Sequence, residues 1–416
     1  MIKPFVRAAI VLVFLVSAGN AWPQLVLGQY EDEAPLRSWN TLGNPLAPSV
    51  ACGGAGIAFG WDASAVLVNP ALAAALPRLT ASVSGSYLSA SLMRYSILNT
   101  GVLSTPRPVT DRSYGLDFGG IAVRLGKWAF AASADLSENY GRPRLEFRAD
   151  DQGVKVYSIR AEQTGWLRSF NLTAARGISG RLAAGVTVRV LRGEIERTTA
   201  EDFAADGVLI DDGRRRTLTG FAWSAGLTYA FSGRVSGGLV FQGPFKLRSA
   251  SRSLLEYRVP AVGTDIRIAG DEKDRFERPW AAGAGISWRP GEKFRIVSDV
   301  RFFKWSSYKV TVFGEPKTRD FRDVWSAAAG AEYAGSYRLF GRNVLCPLRI
   351  GFALDPQPMK APGSSYFYLT FGTGLTMGRV RLDLGAALGR ERGSGDGLSA
   401  RRAVLTLSYD LGSERP

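Results

Sequence analysis

The chain has 416 residues, with 52 Lys and Arg against 37 Asp and Glu and no histidine. The absence of histidine excludes Ser–His and Cys–His nucleophile pairs and His-ligated zinc. A formal net charge of +15 would suit nucleic acid in a cytoplasmic chain, but the first segment argues against that partner.

That segment places Lys3 and Arg7 ahead of an apolar stretch from Ala8 to Val16, followed by small residues up to Ala21. It reads as a secretory signal peptide over 1–21, cleaved after Ala21. Its apolar core is too short for a membrane anchor, which takes roughly 20 residues. Removing 21 of 416 residues leaves 395, and losing Lys3 and Arg7 leaves 50 basic against 37 acidic residues, a net +13. An exported basic chain meets anionic lipid headgroups, lipopolysaccharide phosphates or anionic solutes, and no nucleic acid. Several cations (Arg181, Arg234, Arg289, Lys293 and Arg379) fall near turns, as a solvated rim would have them.

Residues 22–78 are rich in Gly, Pro and Ala and contain no convincing strand. Within them, "GWDASAVLVNPALAAALP" (Gly60–Pro77) reads as two short helical turns. Asp62 is placed to cap a turn over Ala63–Val68. Asn69 caps a second turn with Pro70 at its first position, and Pro77 stops it. Cys52 and Cys346 do not make a disulfide framework and read as two free thiols.

From Leu79 onward apolar residues recur at period two between Gly, Arg, Asp and Pro clusters. In "AVLTLSYDL", Leu405, Leu407, Tyr409 and Leu411 share one face, while Thr406, Ser408 and Asp410 take the other. About fourteen strands follow, over 79–95, 114–124, 127–137, 166–176, 181–193, 217–231, 234–245, 279–288, 293–305, 323–334, 347–354, 365–377, 379–390 and 401–411. Tight turns such as "LGK", "GISG", "RPGE" and "MG" follow even-numbered strands, with a longer link at 335–346. Odd-numbered strands lead into longer polar connections such as 138–165, 194–216 and 246–278. Short turns on one rim and long loops on the other point to an all-β transmembrane antiparallel β-barrel over 79–416. Lipid offers no water to an open edge, so the sheet must close. A soluble sandwich or solenoid explains this alternation less well. A barrel of this width is a water-filled pore unless filled, and residues 22–78 are long enough to fill it.

Several stretches carry a likeness to one family. "DASAVLVNPA" resembles the N-terminal hatch of the FadL/TodX family of outer-membrane transporters for hydrophobic compounds. "WAFAASADLSENYG" (Trp128–Gly141) is similar to that family's third strand, and "FFKWSSY" (Phe302–Tyr308) to a Trp-Ser-Ser strand end. "FRDVWSAAAGAEY" (Phe321–Tyr333) and "RIGFALDPQP" follow in the same order. The resemblance implies that Asn69, Pro70 and Ala71 belong to a hatch inside the lumen that shifts to release cargo. Asn139, Tyr140 and Gly141 would lie at an inward kink that opens the wall sideways. The long loops would carry a capture groove, with Phe203, Val208, Leu209 and Ile210 on one and Leu254, Leu255, Tyr257 and Val259 on the other.

Trp305, Tyr308 and Trp325 are read as interfacial girdle aromatics, and Asp323 as a hydrogen bonder of the wall. The resemblance implies passive uptake of fatty acids or aromatic hydrocarbons across the outer membrane of a Gram-negative-type cell. The expected state is a monomer among outer-membrane lipid and lipopolysaccharide, with no cofactor, no metal and no enzymatic activity. The alternative is a FadL-like barrel serving as a structural or secretion-accessory protein. A charge-lined lumen would favour that alternative, and a continuous apolar tunnel would favour transport. A general diffusion porin ranks below both, because it needs no plug.

Overall fold

The computed structural model describes residues 46–92, 109–204, 206–312, 314–339, 342–360, 363–393 and 399–412. The expected signal peptide and the start of the 22–78 segment lie outside the described residues. Two short helices, α1 (Ala47–Ala51) and α2 (Ala65–Val68), and a 3-10 turn at Pro70–Ala75 precede the sheet. The first strands are β1 (Leu79–Leu92), β2 (Val109–Leu125), β3 (Trp128–Asn139), β4 (Arg142–Asp151), β5 (Val154–Gly177) and β6 (Leu182–Phe203). Next come β7 (Val208–Ala230), β8 (Val235–Gln242), β9 (Phe245–Val259), β10 (Thr264–Arg278), β11 (Ala281–Trp288) and β12 (Phe294–Phe303). The last are β13 (Lys309–Val312), β14 (Glu315–Lys317), β15 (Val324–Leu339), β16 (Arg342–Pro356), β17 (Ser365–Met377), β18 (Val380–Arg392) and β19 (Ser399–Leu411).

Fourteen of these strands form a closed antiparallel barrel, sealed where β1 pairs β19 from Leu79↔Leu411 to Ser91↔Ser399. The other five (β4, β9, β10, β13 and β14) lie on the long-loop side. The residues dictate which way each face points. On β18, Arg381 and Asp383 are buried while Leu382 and Leu384 are exposed. Apolar side chains outward and charges inward invert the pattern of a soluble sheet, and this is the pattern a lipid-facing barrel requires.

Aromatic rings mark the two edges of the outward apolar band. Near the long-loop rim Trp223, Phe241, Trp280, Phe302 and Trp325 touch in series, with centroids 4.9–5.9 Å apart. Near the short-turn rim lie the exposed Phe231, Trp288 and Phe294. Phe294 and Phe302 stand eight residues apart on β12. At about 3.3 Å per residue and a tilt of about 40°, the band is about 20 Å tall. The chain is built to sit in the outer membrane.

The expected connections 138–165, 194–216 and 246–278 are largely strand. Here β6 and β7 pair up to Phe203↔Val208, β9 pairs β10 up to Val259↔Thr264, and β4 pairs β5. The 335–346 link is likewise a paired hairpin, continuing to Leu339↔Arg342. Above the membrane both faces carry polar residues, so the period-two signal fades although the ladder continues.

Candidate functional site

The site begins with the segment Leu46–Leu76, which lies against the inward wall. Asp62 Oδ1 accepts bonds from the Ser64 amide (2.9 Å) and hydroxyl (2.6 Å), just ahead of α2. Burial pushes the Asp62 carboxyl above the ordinary carboxylate range, against the pull of Arg381. Asn69 Oδ1 accepts from the Ala71 amide at 3.1 Å and so caps the turn that Pro70 opens. Its Nδ2 donates to the carbonyls of Ile57 (2.8 Å) and Leu227 on β7 (3.0 Å). Pro70 and Ala71 pack against Gly185 of β6.

The wall receives this segment on glycines that pair across strands: Gly185↔Gly226, Gly238↔Gly285, Gly330↔Gly351 and Gly372↔Gly385. A Cβ at Gly330 would lie within 3 Å of Cys52, at Gly351 of Gly53, and at Gly385 of Ala47. Charge fixes what the glycines admit. Asp299 Oδ2 accepts from the amides of Gly56 (2.7 Å) and Ile57 (3.1 Å), and Arg301 donates to the Gly54 carbonyl at 2.6 Å. Arg349 joins Glu332 (2.6 Å) to Asp383 (2.7 Å), and Glu332 also accepts from the Trp61 indole at 2.9 Å. Arg381 donates to the Trp61 carbonyl, and the Ala47 amide bonds Thr406 Oγ1 at 2.9 Å. The lower lumen is therefore polar and charged, not a greasy tunnel.

Cys52 and Cys346 are both free. Burial first, then the Glu332 carboxylate, pushes the Cys52 thiol up to about 12. Since the thiolate is the reactive form, Cys52 is expected to resist maleimide at pH 8 in the folded barrel. It should label at once in denaturant, which mass spectrometry of labelled peptides would read.

Above this floor the wall changes at β3. The β2–β3 ladder runs from Leu125↔Trp128 to Phe118↔Asp135 and stops, whereas β1–β2 continues to Leu92↔Val109. Just beyond, β3 is irregular between Leu136 and Glu138. Asn139, Tyr140 and Gly141 then form a turn in which Asn139 Oδ1 accepts from the Gly141 amide at 2.9 Å. Tyr140 is buried among lumen residues and bonds the Gly165 carbonyl through its amide. Only glycine fits at position 165, with φ near +152° and a Cβ position within 3 Å of the Glu194 carbonyl. Above Phe118↔Asp135, β4 takes the place of β3 beside β2. This change of neighbour is the seam of the wall.

Beside the seam lies a cavity of about 50 Å³, lined by Leu67, Leu167, Leu191, Phe245, Phe303 and Trp305, with Asp135, Glu138, Arg189 and Arg278 as its charged groups. Arg189 also donates to the Leu67 carbonyl at 2.8 Å. Trp305 belongs here and not to the girdle: it is 3% exposed, Tyr308 is 6%, and both pack on Phe321. The cause is the 3-10 turn Trp305–Ser307, which folds the chain inward after β12. Trp325, at 63% exposed, does face outward. Asp323 accepts from Lys304 Nζ (2.6 Å) and the Ser306 amide (3.0 Å) at that turn. Burial would raise its carboxyl, but these bonds outweigh it and hold the group below its usual range. Proximity of Trp305 to Arg278, 5.6 Å from the ring centroid, was not readable from a local motif.

Strand pairing brings the two sets of expected capture residues together. Ile210 stands opposite Tyr257, and Leu255 opposite Ile268. Counting by twos from Leu191, Leu218 and Leu247, which face the lumen, places Phe203, Val208, Ile210, Leu255, Tyr257 and Val259 on the inward face. Phe203 packs against Tyr157, with ring centroids 4.8 Å apart and the planes tilted by 48°. Leu209 and Leu254 fall on the opposite face, beside the ion pairs Arg258–Asp211 and Arg267–Glu256. Between this apolar shelf and the cavity lies a polar layer that includes Arg216 and the pair Arg214–Asp274 (2.8 Å).

Solved barrels share this architecture. The Pseudomonas putida toluene transporter TodX superposes with a TM-score of 0.67 at 13% identity, covering 94% of this chain and 100% of that one. The Ralstonia pickettii toluene transporter TbuX gives 0.62 at 18% identity, covering 90% and 100%. A Pseudomonas aeruginosa FadL homologue gives 0.63 at 15%, covering 88% and 98%. No curated protein sequence matches the chain. At these identities the structural likeness establishes a common fold and nothing finer. The sequence itself is matched by the BamG family profile over residues 67–398, most of the chain including the Asn69 turn, the seam and nearly every wall strand; with its fourteen-stranded FadL/TodX-type barrel, this chain belongs to the BamG family.

Proposed function

We propose that the barrel is an outer-membrane channel for passive uptake of small hydrophobic compounds, with Leu46–Leu76 as a floor and the β2–β3 seam as a lateral exit. The observation that carries this reading is the end of the β2–β3 ladder beside an apolar-walled cavity, at the long-loop edge of the outward apolar band. Toluene transport by two barrels of the same fold supports it. Cargo would gather on the inward shelf around Phe203, Ile210 and Tyr257, cross the arginine layer, and leave sideways above the floor. Each CH₂ gains about 0.8 kcal/mol on leaving water, so a chain of weak apolar sites suffices. The cavity has room for only a few waters, so a guest the size of toluene requires Trp305 or Phe245 to turn aside. In this reading Asn69, Pro70 and Ala71 anchor the floor and need not move.

The test uses a deletion strain and labelled uptake of an aromatic hydrocarbon and of a long-chain fatty acid. Wild type is expected to restore uptake, and Ala222→Trp, which fills the cavity, to reduce it at least tenfold while the barrel stays heat-modifiable in SDS gels. Uptake unaltered by the deletion would sink the transport reading. One observation favours a second reading: the charged lower lumen suits a structural or secretion-accessory barrel that binds partner proteins. Unchanged uptake together with altered levels of other outer-membrane proteins would be its signature.

A further inference from the structure

The basicity of the chain has a definite location. Arg124 and Lys127 flank the β2–β3 turn, Arg176 and Arg181 the β5–β6 turn, and Arg234 the β7–β8 turn. Arg289 and Lys293 bracket the β11–β12 turn, Arg338 and Arg379 mark the next two, and Arg78 leads into β1. All are exposed, and none is in an ion pair among the described residues. The one acidic side chain on these described turns is Glu292. At the opposite end, by contrast, cations such as Arg258 and Arg267 are neutralised by Asp211 and Glu256.

These cations lie just past the aromatic edge of the apolar band. Trp288 immediately precedes Arg289, Phe294 follows Lys293, and the Arg176 guanidinium sits 5.0 Å from the centre of the Trp128 ring. Such rings sit at headgroup depth. The short-turn rim of an outer-membrane barrel faces the periplasm. We infer that this rim binds the phosphodiester headgroups of anionic phospholipids in the periplasmic leaflet. The distribution decides between occupants: a docked protein covers one contiguous face, whereas these charges follow the whole circumference at one depth, as a lipid annulus does. Arginine suits the role because its planar fork binds phosphate oxygens bidentately.

Spin-labelled lipids in vesicles containing the full barrel measure the relative association of phosphatidylglycerol over phosphatidylcholine. A cation close to an anionic leaflet is worth about a fivefold local preference. Averaged over the annulus, wild type is expected to favour phosphatidylglycerol about threefold, and less in high salt. The quadruple variant Arg234→Ser, Arg289→Ser, Lys293→Ser and Arg379→Ser is expected to lower that ratio towards one, with heat-modifiable migration showing that it still folds. A wild-type ratio of one overturns the inference, as does a ratio that the variant leaves unchanged. A ratio of one with a periplasmic protein retained by the intact rim alone would overturn it in favour of an acidic protein partner.

Discussion

Gly351→Val is expected to abolish most of the assembled barrel. A Cβ there would lie within 3 Å of the Gly53 amide and the Cys52 carbonyl carbon, both backbone atoms that cannot swing aside. The neighbouring Gly330 is equally closed against Cys52, so displacing the inner segment along the wall offers no relief. Overpacking in a tight core costs roughly 1–3 kcal/mol where side chains can yield, and more where backbone meets backbone. The readout is the fraction of outer-membrane protein that migrates as the compact, unheated form. Gly233→Ala is the control, since nothing lies within 4 Å of the added carbon, and it should assemble like wild type.

Asp299→Ala tests the floor from the other side. It removes the acceptor of two buried amides, Gly56 and Ile57, and leaves Arg301 without its carboxylate. Breaking a buried pair costs about 3–5 kcal/mol. In a protein of this size that corresponds to a fall of about 4–6 °C in the heat-modifiability midpoint. The same variant is expected to show frequent open-channel currents in planar bilayers where wild type stays closed, because the segment it loosens fills the lower lumen. Asp299→Asn, which keeps an acceptor oxygen, should fall between the two. A variant as closed and as heat-stable as wild type would show that Asp299 does not hold the floor.

The wall was legible in the sequence because lipid imposes a strict alternation. Arg381, Leu382, Asp383 and Leu384 announce both the strand and its two faces, and Gly126 and Gly378, with φ near +63° and +57°, mark tight turns. The projecting hairpins were not legible. The run "TDIRIAGDEKD" in β10 is held by its ladder to β9, a long-range pairing that leaves no local periodic trace. Trp305 and Tyr308 depart from the girdle expected of them for a similar reason. A Trp-Ser-Ser sequence reads the same whether its turn folds toward lipid or lumen, and contacts with Phe321 from a later segment decide. Asn69 was readable in its capping role, because Pro70 follows it directly. Its second role, bonding the Leu227 carbonyl, depends on a strand 158 residues away. The chain Glu332–Arg349–Asp383–Arg381 could be suspected from charges at inward positions, but not its pairing.

The bond between the Ala47 amide and Thr406 Oγ1 joins residues 359 positions apart. It also ties the beginning of the described chain to the last strand. Contacts of such separation form late and slowly. The inner segment leaves the ribosome early, yet one of its anchors does not exist until β19 has arrived. Assembly order is therefore constrained: a segment made early cannot complete its seat until the last strand is in place, and a chain truncated before Thr406 cannot complete its own floor.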